Sequence, residues 1–299
     1  MRQGDIVEAV QNPAMDSPGP TIHAPSWRGA VRWLLLLPVV LVLAVFFIGP
    51  VVFNVVESLR LPNGGFGFDA YRRILTDAYF FEVGLQTLML AAVVTVVCLV
   101  MGYPFAYAVA RSSGRFKALL IFVLVAPLLV NVVVRSYGWM IVMGGGGLLD
   151  TAARALGLPT VNLMYSWTGI VIALVHVLLP FMVLSIASTL EAVDLNIEDA
   201  ASVMGATPLQ ALWHVTIPMS IEGVVTGCII TFTLTVGSFV TVMLLGDNST
   251  MVLPLLIYQR LTTLGDWGAA ATLGIVLLVV VMSLLGLQAA FRRRKADTA

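Results

Sequence analysis

The chain has 299 residues, 59% of them apolar and only 11% charged, with lysine plus arginine and aspartate plus glutamate balanced at 16 each. Soluble domains carry about 25% charged residues, so a mean hydropathy of +0.98 excludes a water-soluble globular fold. Zero net charge and the lack of a basic block interleaved with aromatics give no footing for nucleic acid.

Residues 1–30 hold Pro13, Pro18, Pro20 and Pro25 without apolar periodicity and read as a mobile cytoplasmic tail. The apolar run that follows exceeds the roughly 7–15 residues of a secretory signal core, so it reads as a retained first span. A bilayer crossing takes about 20 apolar residues. Six stretches qualify: 31–55, 85–110, 118–143, 167–190, 221–245 and 267–291. The predicted fold is all-α and polytopic, with six transmembrane helices. Its expected divisions are the tail 1–30, the first span and outer segment 31–84, a core 85–291 and a basic tail 292–299. Cys98 and Cys228 fall inside spans as small packing residues, and no Cys/His spacing suggests a metal site.

Between spans, Asp69 is placed to cap a short helix from Ala70, and Asp150 another from Thr151. Four consecutive glycines, Gly144 to Gly147, predict a turn where span three ends. Without a preceding strand or a following lysine they do not form a phosphate cradle. Basic residues of short loops stay in the cytoplasm. Arg2, Arg28, Arg32, Arg111, Arg115, Lys117, Arg292, Arg293, Arg294 and Lys295 fall on one side of a six-span arrangement, which places both termini inside the cell. Arg60, Arg72, Arg73, Arg135, Arg154 and Arg260 remain on or towards the other side. The link between spans four and five has no basic residue, and parity alone puts it inside.

That link, residues 191–220, is patterned. Asn196 is placed to cap a short helix over 197–204, with acids in its first turn where the helix dipole favours them. Gly205 ends that helix, as glycine takes the left-handed conformation cheaply. Thr207 then reads as a second cap, with Pro208 at the first helical position and Gln210 closing a capping box, for a helix over 208–214. Pro218 is expected to end it at the entry to span five. Ala200, Ala201, Gly205 and Ala206 leave the backbone nearly bare, which suits either close approach by another chain or compact packing on the spans.

These residues resemble the EAA loop of binding-protein-dependent ABC importer permeases. The family pattern is Glu-Ala-Ala, three residues, Gly, nine residues, Ile, one residue, Leu-Pro. Here it is met by Asp199-Ala200-Ala201, Gly205, Val215, Ile217 and Pro218 at the same spacing, with Asp, Val and Ile as departures and Glu198 just ahead. The resemblance runs from about span two to span six. It implies a type I ABC importer permease-like fold with a cytoplasmic coupling helix, in which Glu198, Asp199, Ala200, Ala201, Gly205, Ala206 and Pro218 serve the ATPase coupling. It also implies an assembly in the bacterial inner membrane of two ATP-binding subunits, a second permease (a heterodimer rather than a homodimer) and a periplasmic solute-binding protein. Motion of the loop would pass to spans three to five.

Within the family the chain is most similar to spermidine/putrescine-type permeases, through Val134-Arg135-Ser136-Tyr137-Gly138-Trp139 and Gly237-Ser238-Phe239-Val240 followed by Leu245-Gly246-Asp247. This favours a polyamine or related organic cation, with iron, thiamine and opine left open. Polar groups at membrane depth face a bundle interior or aqueous cavity. That makes Arg135, Tyr137, Trp139, His176 and Asp247 candidates for the substrate path. Each has a plainer reading: Arg135 and Asp247 as snorkelling side chains, His176 as a packed histidine, Tyr137 and Trp139 as an interfacial aromatic belt. A polyamine would be repelled by Arg135 unless that residue pairs with an acid. His23, His176 and His214 are scattered, and no GxxxxGK[ST] run is present. The chain is therefore expected not to be an enzyme and to bind no cofactor, ATP and Mg belonging to its partner. A stand-alone secondary transporter is the competing class, and would show inverted repeats.

Overall fold

The computed structural model describes residues 36–61, 64–160 and 162–296. The expected tail 1–30, with its arginines, lies outside the described residues. The chain divides into two units after Phe53. In the first, helix α1 (Leu36–Leu59) begins, with an apolar surface exposed along its length and a π-helical turn over Ala44–Ile48.

The second unit continues in order through α2 (Asp69–Thr76), α3 (Ala78–Arg111), α4 (Gly114–Val125), α5 (Val132–Met143), α6 (Leu148–Ala155), α7 (Trp167–Glu191), α8 (Leu195–Val203), α9 (Pro208–Met219), α10 (Ile221–Val236), α11 (Val240–Leu245), α12 (Leu253–Thr262) and α13 (Trp267–Ala296). Among the described residues five stretches are long and apolar enough to cross a membrane, one of them α5 and α6 taken together (Val132–Ala155), and the α9–α10 pair, bent by 67°, makes a sixth. The expected all-α, membrane-spanning fold is thus present, but two spans are built differently from their sequence reading.

Span three is not one helix. Pro127 lacks an N–H and so cannot donate to the Val123 carbonyl one turn back. The chain tightens there into a 3-10 turn, Ala126–Leu129, and leaves it at Val130 in extended conformation. Asn131 then restarts the helix by accepting from the Val133 N–H at 2.9 Å. Span five breaks in the same way: α10 stops at Gly237, and α11 is a separate short helix after Phe239. Span two is longer than expected, since Asp77 caps α3 by accepting from the Tyr79 N–H at 2.9 Å. The basic residues 292–295 continue α13 rather than forming a separate tail.

The outer helices start slightly earlier than expected. α2 begins at Asp69 itself. In α6, Asp150 sits within the first turn, accepting from the Gly146 N–H at 3.0 Å and pairing with Arg154 at 2.9 Å. The glycine turn at 144–147 is present.

The core lies where α3, α7 and α10 pack against one another. Val94, Cys98, Ala106, Met182, Val183 and Ile186 are fully buried there. Lipid removes the hydrophobic drive between helices, so close approach through small residues takes over. Gly223 and Gly227, one turn apart on α10, face α7. A Cβ on Gly223 would sit 2.5 Å from Thr189 Oγ1 and 2.7 Å from the Ser185 carbonyl oxygen. One on Gly227 would meet Met182 Sδ at 2.8 Å.

Candidate coupling element and translocation cleft

The link between α7 and α10 forms a helix–corner–helix element. Its first cap is Asp194, not Asn196: the Asp194 carboxylate accepts from the Asn196 N–H at 3.0 Å, and the helix starts two residues earlier than expected. Both residues are short polar cappers, and the sequence pattern alone does not rank them. Gly205 closes α8 at φ +90°. The Ala206 N–H bonds the Ala201 carbonyl at 3.1 Å and the Gly205 N–H bonds that of Ser202 at 3.0 Å, the pair of bonds that defines a Schellman ending. The Thr207–Gln210 capping box is formed in both directions, at 3.3 and 2.8 Å.

Pro218 does not end α9. Having no N–H, it leaves the His214 carbonyl without its helical donor. The helix widens instead into π-type turns over Leu212–Thr216, with the Ile217 N–H reaching Leu212, and continues to Met219. The bend falls at Ser220, whose hydroxyl meets the Tyr103 hydroxyl at 2.9 Å.

The residues predicted for coupling divide between two faces. Asp199, Ala200 and Gly205 are exposed, Pro218 is exposed, and Ala206 is half-buried. Ala201 is buried and contributes nothing to the bare surface expected of it. Glu198 also turns inward: it forms an ion pair with Arg111 and accepts from Thr216 Oγ1 at 3.0 Å. The helical period puts positions 198 and 201 on the same side, three residues apart, so an inward Glu198 carries Ala201 with it.

Sequence reasoning missed the apolar tip. Val203, Met204, Leu209 and Trp213 are 88%, 82%, 65% and 62% exposed. They cluster around the Gly205 corner on α8 and α9. The signal was available: Leu209 and Trp213 stand four apart, while Ala211 and Thr216 take the buried side. A loop expected in water has no reason to show four large apolar side chains on one side unless something covers them.

A second feature lies at the two helix breaks. A cleft of about 570 Å³ is lined by residues 128–132 and Arg135, by Val177, Leu178 and Phe181 of α7, and by Leu234 and Ser238. Both interruptions, after α4 and after α10, open on it. Broken spans are tolerated at depth only where the freed backbone finds partners or lines a cavity. Arg135 supplies partners: its guanidinium donates to the Pro127 carbonyl at 2.6 Å and the Val130 carbonyl at 3.3 Å. No acid offsets the repulsion that Arg135 would exert on a polyamine: among the described ion pairs Arg135 has none. The Val130 N–H also reaches the Pro127 carbonyl, at 3.4 Å, so that oxygen is shared between the backbone and the guanidinium.

Trp139 and His176 are brought together, ring centroids 5.4 Å apart and edge-on at 81°. Tyr137 is exposed. Asp247 is not part of this group. It caps the 3-10 turn Asn248–Thr250, accepting from the Ser249 N–H at 3.0 Å and hydroxyl at 2.6 Å. The Ser249 hydroxyl holds the Asp247 carboxyl below its ordinary value against the opposing effect of desolvation, with lesser help from the Ser249 N–H and from Thr250. No group of three or more His, Cys, Asp or Glu poised for a metal occurs among the described residues.

A membrane bundle with interrupted spans and an apolar-tipped loop between two of them defines a transport component rather than a receptor or enzyme. The family described as "Binding-protein-dependent transport system inner membrane component" matches residues 99–297, and the chain belongs to it. It is 33% identical over 218 residues to the spermidine/putrescine transport system permease protein PotB of Escherichia coli (strain K12), covering 72% of this chain and 79% of that protein. It is 27% identical over 267 residues to the putative 2-aminoethylphosphonate transport system permease protein PhnU of Salmonella paratyphi A (strain ATCC 9150 / SARB42), covering 85% and 88%. A chain of the bacterial alginate ABC transporter, crystallised with its alginate pentasaccharide-bound periplasmic protein, shares the fold with a TM-score of 0.77 at 16% identity, over 90% of this chain and 96% of that one. The chain is therefore a multi-pass permease of an ABC importer in the inner membrane, and ATP hydrolysis falls to a separate subunit.

Proposed function

We propose that this permease forms half of the path for a small amine-bearing solute, spermidine or putrescine foremost, and that the α8–α9 element is its docking plug for the ATPase. The observation that carries the second part is the apolar tip around Gly205. Val203, Met204, Leu209 and Trp213 stand exposed beside the bare backbone of Ala200 and Gly205. A groove on another protein would bury them, at about 25 cal/mol per Å² of apolar surface removed from water, with Asp199 available to basic or polar groups at its edge. ATP and Mg reside on that partner, and this chain binds no cofactor of its own. The loop and both termini face the cytoplasm. A second, non-identical permease completes the pore, and a periplasmic binding protein delivers the solute.

The cleft at the helix breaks is the candidate path, with Arg135 on its wall, while Tyr137, Trp139 and His176 are not part of its lining. Similarity to PotB supports a polyamine. Arg135 and similarity to PhnU favour a second reading, a solute carrying both an amine and an anionic group. Uptake of labelled spermidine, putrescine and 2-aminoethylphosphonate by vesicles holding the assembled importer tests the choice. ATP-dependent uptake of a polyamine with no uptake of the phosphonate upholds the first reading, and the reverse upholds the second. Docking is tested by co-purification: an ATPase should accompany the wild-type chain and be lost from Trp213→Asp. Labelling of residues 196–216 from the periplasmic side would refute the placement of the plug.

A further inference from the structure

At the inner end of the bundle one arginine joins four elements. Arg111 is the last residue of α3. Its guanidinium pairs with Glu198 of α8, donates to the Leu190 carbonyl at the end of α7 at 3.4 Å and lies over the Tyr107 ring, 5.8 Å from the centroid. The same Glu198 oxygen accepts from Thr216 of α9 at 3.0 Å. The pair is largely withdrawn from water, with side-chain exposures of 17% and 15%. Two turns back along α3, the Tyr103 hydroxyl meets Ser220 at the bend between α9 and α10.

This arrangement matters because α8 packs mainly on α9 and has little direct packing on the spans. The Arg111–Glu198 pair gives a push on α8 a direct route to α3, besides the route through α9 and the Gly205 corner. A pair largely withdrawn from water resists separation more than a surface pair does, since parting it leaves a charge poorly solvated.

We propose that Arg111 and Glu198 are positioning residues, a clasp that converts displacement of the docking plug into displacement of α3 and the end of α7. The proposal rests on the reading of α8–α9 as that plug. It assigns the mechanical output first to span two, through Arg111, where the sequence pattern pointed to spans three to five. Glu198 accordingly acts within the chain and does not belong to the face offered to the ATPase.

The test uses the full importer in proteoliposomes, comparing wild type, Glu198→Gln, Arg111→Met, Arg111→Lys and the exchange Arg111→Glu with Glu198→Arg. Three quantities are read: ATPase retained with the chain, ATP turnover, and solute moved per ATP. The clasp predicts that Glu198→Gln and Arg111→Met retain the ATPase and hydrolyse ATP, while solute per ATP falls about tenfold, within the range typical of coupling between sites. Arg111→Lys keeps the charge but not the fork and should fall less, and the exchange should recover part of the loss. A merely structural pair would lower assembly, turnover and transport together at constant solute per ATP, and that result overturns the proposal. An unchanged ratio in both single variants overturns it as well. If the wild-type chain retains no ATPase, the functional reading fails and takes the clasp with it; if it retains one and only the ratio is indifferent, the clasp alone fails.

Discussion

Gly205 offers a way to separate backbone conformation from surface bareness as the reason for a small residue at the plug's corner. Its φ is +90°, and a Cβ built on it meets nothing within 4 Å. The cost of Gly205→Ala in the free chain is therefore conformational alone, about 1–2 kcal/mol for an L-residue in the left-handed region. That shifts the balance between the formed and unformed corner by about 5- to 30-fold. Asparagine visits this region more readily than other non-glycine residues, so Gly205→Asn should lose less than Gly205→Ala although it is larger. Gly205→Val, β-branched, should lose most. If instead the corner is glycine because the ATPase approaches its backbone, size decides, and alanine should outperform asparagine. The assay is the affinity of the detergent-solubilised chain for its ATPase, with hydrogen exchange at residues 201–207 reporting the corner. Alanine above asparagine in affinity, with equal exchange protection, would refute the conformational argument.

Thr207→Ala removes one half of the capping box and should cost about 1 kcal/mol of local stability, seen as faster exchange in 208–211. Gly223→Ala drives a methyl into the Ser185 carbonyl, which cannot rotate away; it should cost about 1–3 kcal/mol, as overpacking does, and lower the melting temperature more than Gly227→Ala, whose nearest contact is the flexible Met182 side chain. Trp213→Ala should weaken ATPase binding while leaving the melting temperature of the isolated chain unchanged, because the ring is exposed. The Asp247 carboxyl, held below its ordinary value of 3.8 by Ser249 and Thr250, supports its turn at every pH above that value. The support is lost only as acid protonates it, so protection at residues 248–250 should fall below about pH 4 and become independent of pH in Asp247→Asn.

Much of this was readable in the sequence because lipid imposes simple rules. Apolar length marked the spans, and the Thr207-Pro208-x-Gln210 run announced its cap by local chemistry alone. Gly205 was equally legible, since the left-handed turn asks for glycine. The two broken spans were not read, because hydropathy is blind to Pro127 and to Gly237-Ser238: the residues on both sides remain apolar, and window averages pass across the gap. The inward turn of Glu198 was not legible for a different reason. Which of two adjacent acids faces inward depends on where the helix starts, and Asp194 and Asn196 compete for that start on nearly equal terms. Its partner Arg111 stands 87 residues away, a pairing that no local pattern carries. The apolar tip was not legible because large apolar residues in a short helix are buried or exposed according to how it packs on its neighbours, which spacing alone does not carry.

The fit at Gly223 limits how the molecule can change shape. With no room for even a methyl between α10 and the Ser185 carbonyl, any tilt that brings those two backbones closer ends in collision. The freedom to change shape sits instead at the interrupted segments, at Val130, which leaves its 3-10 turn in extended conformation, and at Gly237, where α10 ends.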